Sequence, residues 1–156
     1  MNLSLELKKR FGYSSFRKGQ EDIIRSVLNH RDTLAMLPTG TGKSLCYQLP
    51  GYLLEGHVLI ISPLLSLMQD QVEQMKVMGE KRVIALNSFL PFTERRTALE
   101  QLHKYKFIFI SPEMVMNNSV LTSLMTLKIE LFVIDEAHCI SQWGPDSGRI
   151  ILSWES

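Results

Sequence analysis

The stretch that decides the fold is Thr33-Leu34-Ala35-Met36-Leu37-Pro38-Thr39-Gly40-Thr41-Gly42-Lys43-Ser44-Leu45-Cys46-Tyr47-Gln48. It opens with a short apolar run, passes through a Gly-rich loop, and continues from residue 45 to 54 with apolar residues at helical spacing. Strand, Gly-rich loop, helix is a layout that suits a phosphate, because successive backbone N–H groups and a helix N-terminus point at the anion. In a loop of this kind Lys43 reaches the β- and γ-phosphates, the backbone from Pro38 through Thr39, Gly40, Thr41 and Gly42 cradles them, and Ser44 ligates Mg²⁺. The strict pattern places Gly at the first loop position, where this chain has Leu37. A chance Gly-x-Gly-Lys-Ser is the alternative, and the flanking strand and helix weigh against it.

Outward from that stretch the pattern alternates. Short apolar runs at 33–37, 58–62, 83–86, 107–110 and 131–134 read as strands. Between them 45–54, 65–78, 93–104 and 120–127 read as helices, and two more, 3–11 and 20–28, come first. Wholly apolar strands separated by helices predict an α/β fold: a parallel sheet of at least five strands with helices on both faces. Ligands of such sheets sit beyond the carboxyl ends of the strands. The polar residues collect there: the loop after the first strand, Ser62-Pro63, Asn87-Ser88, Ser111-Pro112-Glu113 and Asp135-Glu136.

A chain of 156 residues is one domain by length, large enough for a real core. Hydrophobic residues at 45%, charged residues at 21% and a net charge of +1 describe an ordinary globule with no strong pull toward polyanions. The charge is uneven, however. Lys8, Lys9, Arg10, Arg17, Lys18, Arg25 and Arg31 face only Glu6, Glu21 and Asp22 in the first 31 residues. That basic lead suits a phosphate-bearing partner or a solvated helix face. Cys46 and Cys139 form no ligand cluster and are expected as free thiols in a reducing cytoplasm. No signal-peptide core opens the chain, and no apolar run approaches the roughly 20 residues of a membrane span.

The last predicted strand runs into Asp135-Glu136-Ala137-His138. An acidic residue ending an apolar strand beside a phosphate loop can hold Mg²⁺, directly or through water, and Asp135 is the candidate. Glu136 could then orient or deprotonate the water that attacks the γ-phosphorus. His138 could couple this site to something beyond the nucleotide. Near the start of the chain, the amide of Gln20 could pair with an adenine edge, and Arg17 could lie over the base. Two polar residues at a helix start are the plainer reading of that pair.

Three stretches carry a resemblance. Phe11-Gly12-Tyr13-Ser14-Ser15-Phe16-Arg17-Lys18-Gly19-Gln20, the segment from Leu37 to Pro50, and Asp135-Glu136-Ala137-His138-Cys139-Ile140-Ser141-Gln142-Trp143-Gly144 resemble the RecQ family of DNA helicases. The likeness is to the first of two RecA-like motor lobes and covers about residues 3–146. It implies a P-loop ATPase lobe that uses ATP and Mg²⁺, with single-stranded or forked DNA as partner and movement in the 3′ to 5′ direction. Arg17 and Gln20 match the adenine-reading motif, Gly40 to Ser44 the phosphate loop, and Asp135, Glu136 and His138 the metal and hydrolysis motif. Lys43, Asp135, Glu136 and His138 are thus the expected catalytic set. Ser62, Pro63, Leu64 and Gln69 match a motif used near the DNA strand, where a helix end directs backbone N–H groups at a phosphate. Asn87, Ser88 and Ser111 resemble strand-end motifs of such lobes; a turn-forming role stands beside that reading. Trp143 could stack on a base, or fill a core.

After Pro145-Asp146 the likeness ends: Ser147-Gly148-Arg149-Ile150-Ile151-Leu152-Ser153-Trp154-Glu155-Ser156 does not follow the family pattern. A frameshift, a truncation or a cloning-derived tail would each produce such a break. The expected division is therefore a truncated ATP-binding domain, 1–146, and a disordered or aberrant tail, 147–156. The second lobe, with an arginine finger that can contribute about 10³–10⁵ in rate, is expected to be missing, so this chain should hydrolyse ATP poorly and unwind nothing alone. Other readings are a non-catalytic ATP- or DNA-binding fragment, an RNA helicase lobe, and a small-molecule kinase. The kinase reading leaves Gln20 and the acidic box unexplained.

Overall fold

The computed structural model describes residues 2–31, 33–38, 42–135 and 147–153. Helix α1 (Leu3–Phe11) begins where the Asn2 side chain accepts the Leu5 N–H and ends at Gly12, whose φ of +79° closes the helix without a Cβ penalty. Then come α2 (Gln20–Leu28), β1 (Thr33–Pro38), α3 (Leu45–Leu53), β2 (His57–Ile61), α4 (Leu65–Val77) and β3 (Val83–Leu86). After α5 (Phe92–Glu100) and a 3₁₀ turn (Leu102–Lys104) follow β4 (Phe107–Ile110), α6 (Pro112–Val115), α7 (Asn118–Leu124), β5 (Ile129–Asp135) and β6 (Ser147–Ser153).

The strands order as β1-β6-β5-β2-β4-β3. β5, β2, β4 and β3 pair in parallel, Ile60 lying opposite Phe109 on one side and Val133 on the other. Their side chains alternate between two cores, as the period of a strand requires. Val58, Ile60, Phe107, Phe109, Leu131 and Val133 meet α2, α3 and α4 on one face. Leu59, Ile108 and Ile110 meet α5, α6 and α7 on the other. Helix α1 adds a third layer, Leu3 and Leu7 against Ile24, Leu45 and Leu49.

Two differences from the sequence reading stand out. The expected helix at 93–104 breaks at Gln101, and the tighter 3₁₀ turn brings Leu102 into the core at 2% exposure. Residues 147–153, expected to lie outside the domain, form β6 between β1 and β5 and antiparallel to both. Ile150-Ile151-Leu152 is a β-branched, apolar run, and the slot between two strands offers it backbone partners on both edges. The five strands read from the sequence all point the same way; β6 runs against them.

Candidate nucleotide site

Gln20 is the joint of the site. As the first residue of α2 it is buried at 3% exposure. Its Oε1 accepts the Arg17 N–H at 2.8 Å, and its Nε2 donates to the carbonyl of Gly42 at 3.0 Å. Gly42 permits the approach. Its φ is +81°, and a Cβ there would stand 2.6 Å from Gln20 Nε2. The residue expected to read a base is thus bonded to Gly42, at the end of the Gly-rich stretch.

Beyond Gly42 the chain turns through Lys43 and Ser44 into α3, with Leu45 N–H on Gly42 O and Gln48 N–H on Ser44 O. Ser44 stands at the N-cap and makes no side-chain cap hydrogen bond. The first turn of α3 holds no acidic residue, whereas α1, α2 and α5 carry Glu6, Glu21 with Asp22, and Glu94 there. The positive end of the α3 dipole thus has no acidic side chain of its own first turn beside it. The backbone of Pro38 closes β1, and that of Asp135 closes β5 opposite Ile150. Thr39, Gly40, Thr41, Glu136, His138 and Trp143 lie outside the described residues.

A cavity of about 280 Å³ opens against this joint, with Arg17, Gln20, Gly42 and Ser44 on its polar side and Phe11, Tyr13, Leu45, Met75 and Met78 on its apolar side. A flat apolar ring with polar edges suits such a lining. A larger cavity, about 1090 Å³, lies away from this chemistry beside α7 and β5, among Leu59, Ile61, Leu124 and Phe132. It is an apolar gap over one sheet face.

The other strand-end residues gather along the same end of the sheet. Ser62 is 4% exposed, and its Oγ accepts the Leu64 N–H at 3.4 Å at the start of α4, a second helix without an acidic first turn. Pro63 and Leu64 are half-buried; Gln69 is exposed and bonds Glu73. Asn87 is buried, its Oδ1 accepting the Phe89 N–H at 2.9 Å, while Ser88 is exposed. Ser111 is fully buried at the N-cap of α6, and its hydroxyl has no hydrogen-bond partner among the described residues. Sequence reasoning missed one connection: Tyr47 of α3 donates its hydroxyl to Gln71 Oε1 of α4, tying the phosphate-loop helix to the helix behind Ser62. Helical periodicity alone placed both residues, and nothing in their spacing signals that they meet. Cys46, one residue before Tyr47, is wholly buried, and burial pushes its thiol up to about 12, so it is an inert core residue. Among the described residues no helix is long and apolar enough to cross a membrane.

The DEAD/DEAH box helicase family profile matches residues 17–153. The probable ATP-dependent DNA helicase RecS of Bacillus subtilis is 61% identical over 144 residues, which are 92% of this chain and 29% of that protein. The ATP-dependent DNA helicase RecQ of Haemophilus influenzae is 46% identical over 142 residues, 90% of this chain and 23% of that protein. RecQ of Bacillus subtilis is 42% identical over 139 residues, 87% and 23%. The chain therefore spans less than a third of the length of these relatives. A phosphate loop tied to a buried glutamine at the carboxyl end of a parallel sheet agrees with that match, and the chain belongs to the DEAD/DEAH box helicase family, with strong similarity to its RecQ and RecS members over most of its length.

Proposed function

We propose that this chain is the nucleotide-binding lobe of an ATP-dependent DNA helicase, and that in the complete protein it couples ATP hydrolysis to 3′ to 5′ unwinding. The observation that carries this reading is the Gln20 amide bridging the Arg17 backbone and Gly42 at the mouth of the 280 Å³ cavity. Adenine occupies the cavity between Arg17 and the apolar wall, and Gln20 transmits its arrival to the phosphate loop. Lys43 and the α3 N-terminus hold the triphosphate. Ser44 and Asp135 would hold Mg²⁺, which suits oxygen ligands and neutralises phosphate charge. Glu136 orients the attacking water, and His138 links the site to the DNA side. Ser62, Pro63, Leu64, Gln69, Asn87, Ser88, Ser111 and Trp143 form the DNA side. Two features favour phosphates there: α4, like α3, has no acidic first turn, and Ser111 keeps a buried hydroxyl without a partner among the described residues.

The relatives are named as DNA helicases, which favours DNA over RNA as the partner. Because the chain spans under a third of them, unwinding is assigned to the complete protein, and the isolated chain is expected to bind ATP weakly and unwind nothing. The test is ATP binding and hydrolysis by this chain with and without single-stranded DNA, against Lys43→Ala. Loss of a hydrogen bond to a charged group weakens ATP binding about 10- to 150-fold, from about 1.5–3 kcal/mol. Equal ATP affinity in Lys43→Ala and the parent chain would overturn the reading. Robust unwinding by the purified chain would overturn the assignment of that step to the larger protein.

A further inference from the structure

The loop after β3 and the first residue of α5 lift two phenyl rings into solvent: Phe89 is 78% exposed and Phe92 66%. The loop is held firmly. Asn87 accepts the Phe89 N–H through its side chain at 2.9 Å and the Leu90 N–H through its carbonyl at 3.1 Å, and Leu90 turns inward onto the core. Leu90 is thus half-buried against the core, while Phe89 of the loop and Phe92 at the start of α5 are displayed. The Arg95 guanidinium lies 5.3 Å from the centre of the Phe92 ring, a cation–π arrangement. The same side chain reaches the Met114 sulfur of α6 at 4.0 Å, which ties α5 to the helix whose N-cap position is Ser111. Large rings held open to water on an ordered turn mark a contact surface.

We propose that Phe89 and Phe92 form a stacking ledge for the bases of single-stranded DNA. The inference rests on the reading above that the strand-end loops meet DNA, and it adds an element that the sequence motifs did not contain. Position favours a nucleic-acid strand. The ledge follows the carboxyl end of β3, and β3 lies two strands, about 10 Å of sheet, from β2, whose carboxyl end leads to Ser62. Chemistry favours bases over phosphates. Arg95 and Arg96 are offset by Glu94 and Glu100 on the same helix, Arg96 lying 3.7 Å from Glu100, so the local charge nearly cancels. What remains is π-surface, which accepts any base.

The test is binding of labelled oligo(dT), and of an abasic oligomer of the same length, to the full 156-residue chain across a salt series. Phe89→Ala and Phe92→Ala each weaken oligo(dT) binding, by about 5- to 100-fold for one stacked base. Phe→Tyr at either position restores it. The slope of affinity against salt stays that of the parent chain, because no phosphate contact is removed. The abasic oligomer binds the parent chain more weakly than oligo(dT) binds either single alanine variant, because it lacks the base at both rings. Thermal unfolding of each variant verifies that these exposed substitutions leave the fold intact. Equal oligo(dT) affinity in parent and alanine variants would overturn the ledge while leaving DNA binding elsewhere in place. Equal losses for oligo(dT) and the abasic oligomer would assign the rings a role other than stacking and overturn it as well. No binding of either oligomer by the parent chain would overturn the DNA reading together with the ledge.

Discussion

The two ends of the sheet handle their polar groups in opposite ways. At the amino end the protein satisfies itself. Lys106 Nζ donates to the carbonyls of Leu54, at 2.6 Å, and Gly56. Gly56 N–H meets Glu130, the His57 ring meets Tyr105 O, and Tyr52 donates to Glu80, which also holds Arg82. Burial opposes the charge on Glu80, but Arg82 and Tyr52 together hold its carboxyl below the usual range. Burial, then repulsion from Arg82, lowers Lys106. At the carboxyl end Ser111 keeps a hydroxyl without a partner among the described residues, and the Asn87 amide nitrogen reaches a methionine sulfur at 3.8 Å. A buried polar group left so is unfavourable unless something outside meets it. One end closes on itself, and the other, the proposed ligand side, leaves polar groups unmet among the described residues.

If that contrast is right, substitutions at the two ends fail in different assays. Lys106→Met leaves two inward-facing carbonyls without their donor, and the chain loses about 3 kcal/mol in urea unfolding. ATP affinity at temperatures where the variant stays folded is that of the parent; a drop would break the division between the ends. Gly42→Ala has the reverse signature. A methyl at φ +81°, 2.6 Å from Gln20 Nε2, displaces the loop. Left-handed backbone alone costs about 1–2 kcal/mol, and ATP binding measured by titration weakens about tenfold or more. Unchanged affinity would separate Gln20 from the phosphate loop. The smallest effect sharpens the comparison most. Ser111→Ala removes a hydroxyl that bonds nothing described, so stability stays within about 0.5 kcal/mol of the parent or rises. Oligo(dT) affinity falls about fivefold, the worth of one ordinary hydrogen bond. A clear loss of stability would mean that the protein itself uses that hydroxyl.

Much of this was readable in the sequence, for local reasons. β3 and β4 begin and end where their apolar runs do, because a strand buried on both faces admits little else. Lys43 and Ser44 declare themselves through a contiguous motif. What stayed hidden depends on closure through space. The Gln20–Gly42 bond spans 22 positions and the Tyr47–Gln71 bond 24. No spacing rule predicts either, and the adenine-reading pattern alone left the second duty of Gln20 unseen. Strand β6 reads as a tail in the sequence because a departure from a family pattern says nothing about pairing. Its partners, such as Thr33 opposite Leu152, are set by sheet geometry. The exposed rings of Phe89 and Phe92 were invisible because an aromatic residue in a sequence reads as core.

The position of β6 also bears on how the domain is made. Among the described residues β1, the strand that leads toward Gly42, hydrogen-bonds in the sheet to β6 alone. During synthesis β2 to β5 can zip together as they emerge, but β1 must wait for residues 147–153. At about 5–20 residues per second that interval is roughly 10 s. For that time the earliest strand presents a bare edge, open to chaperones or to a neighbouring nascent chain. The first strand translated is the last one secured.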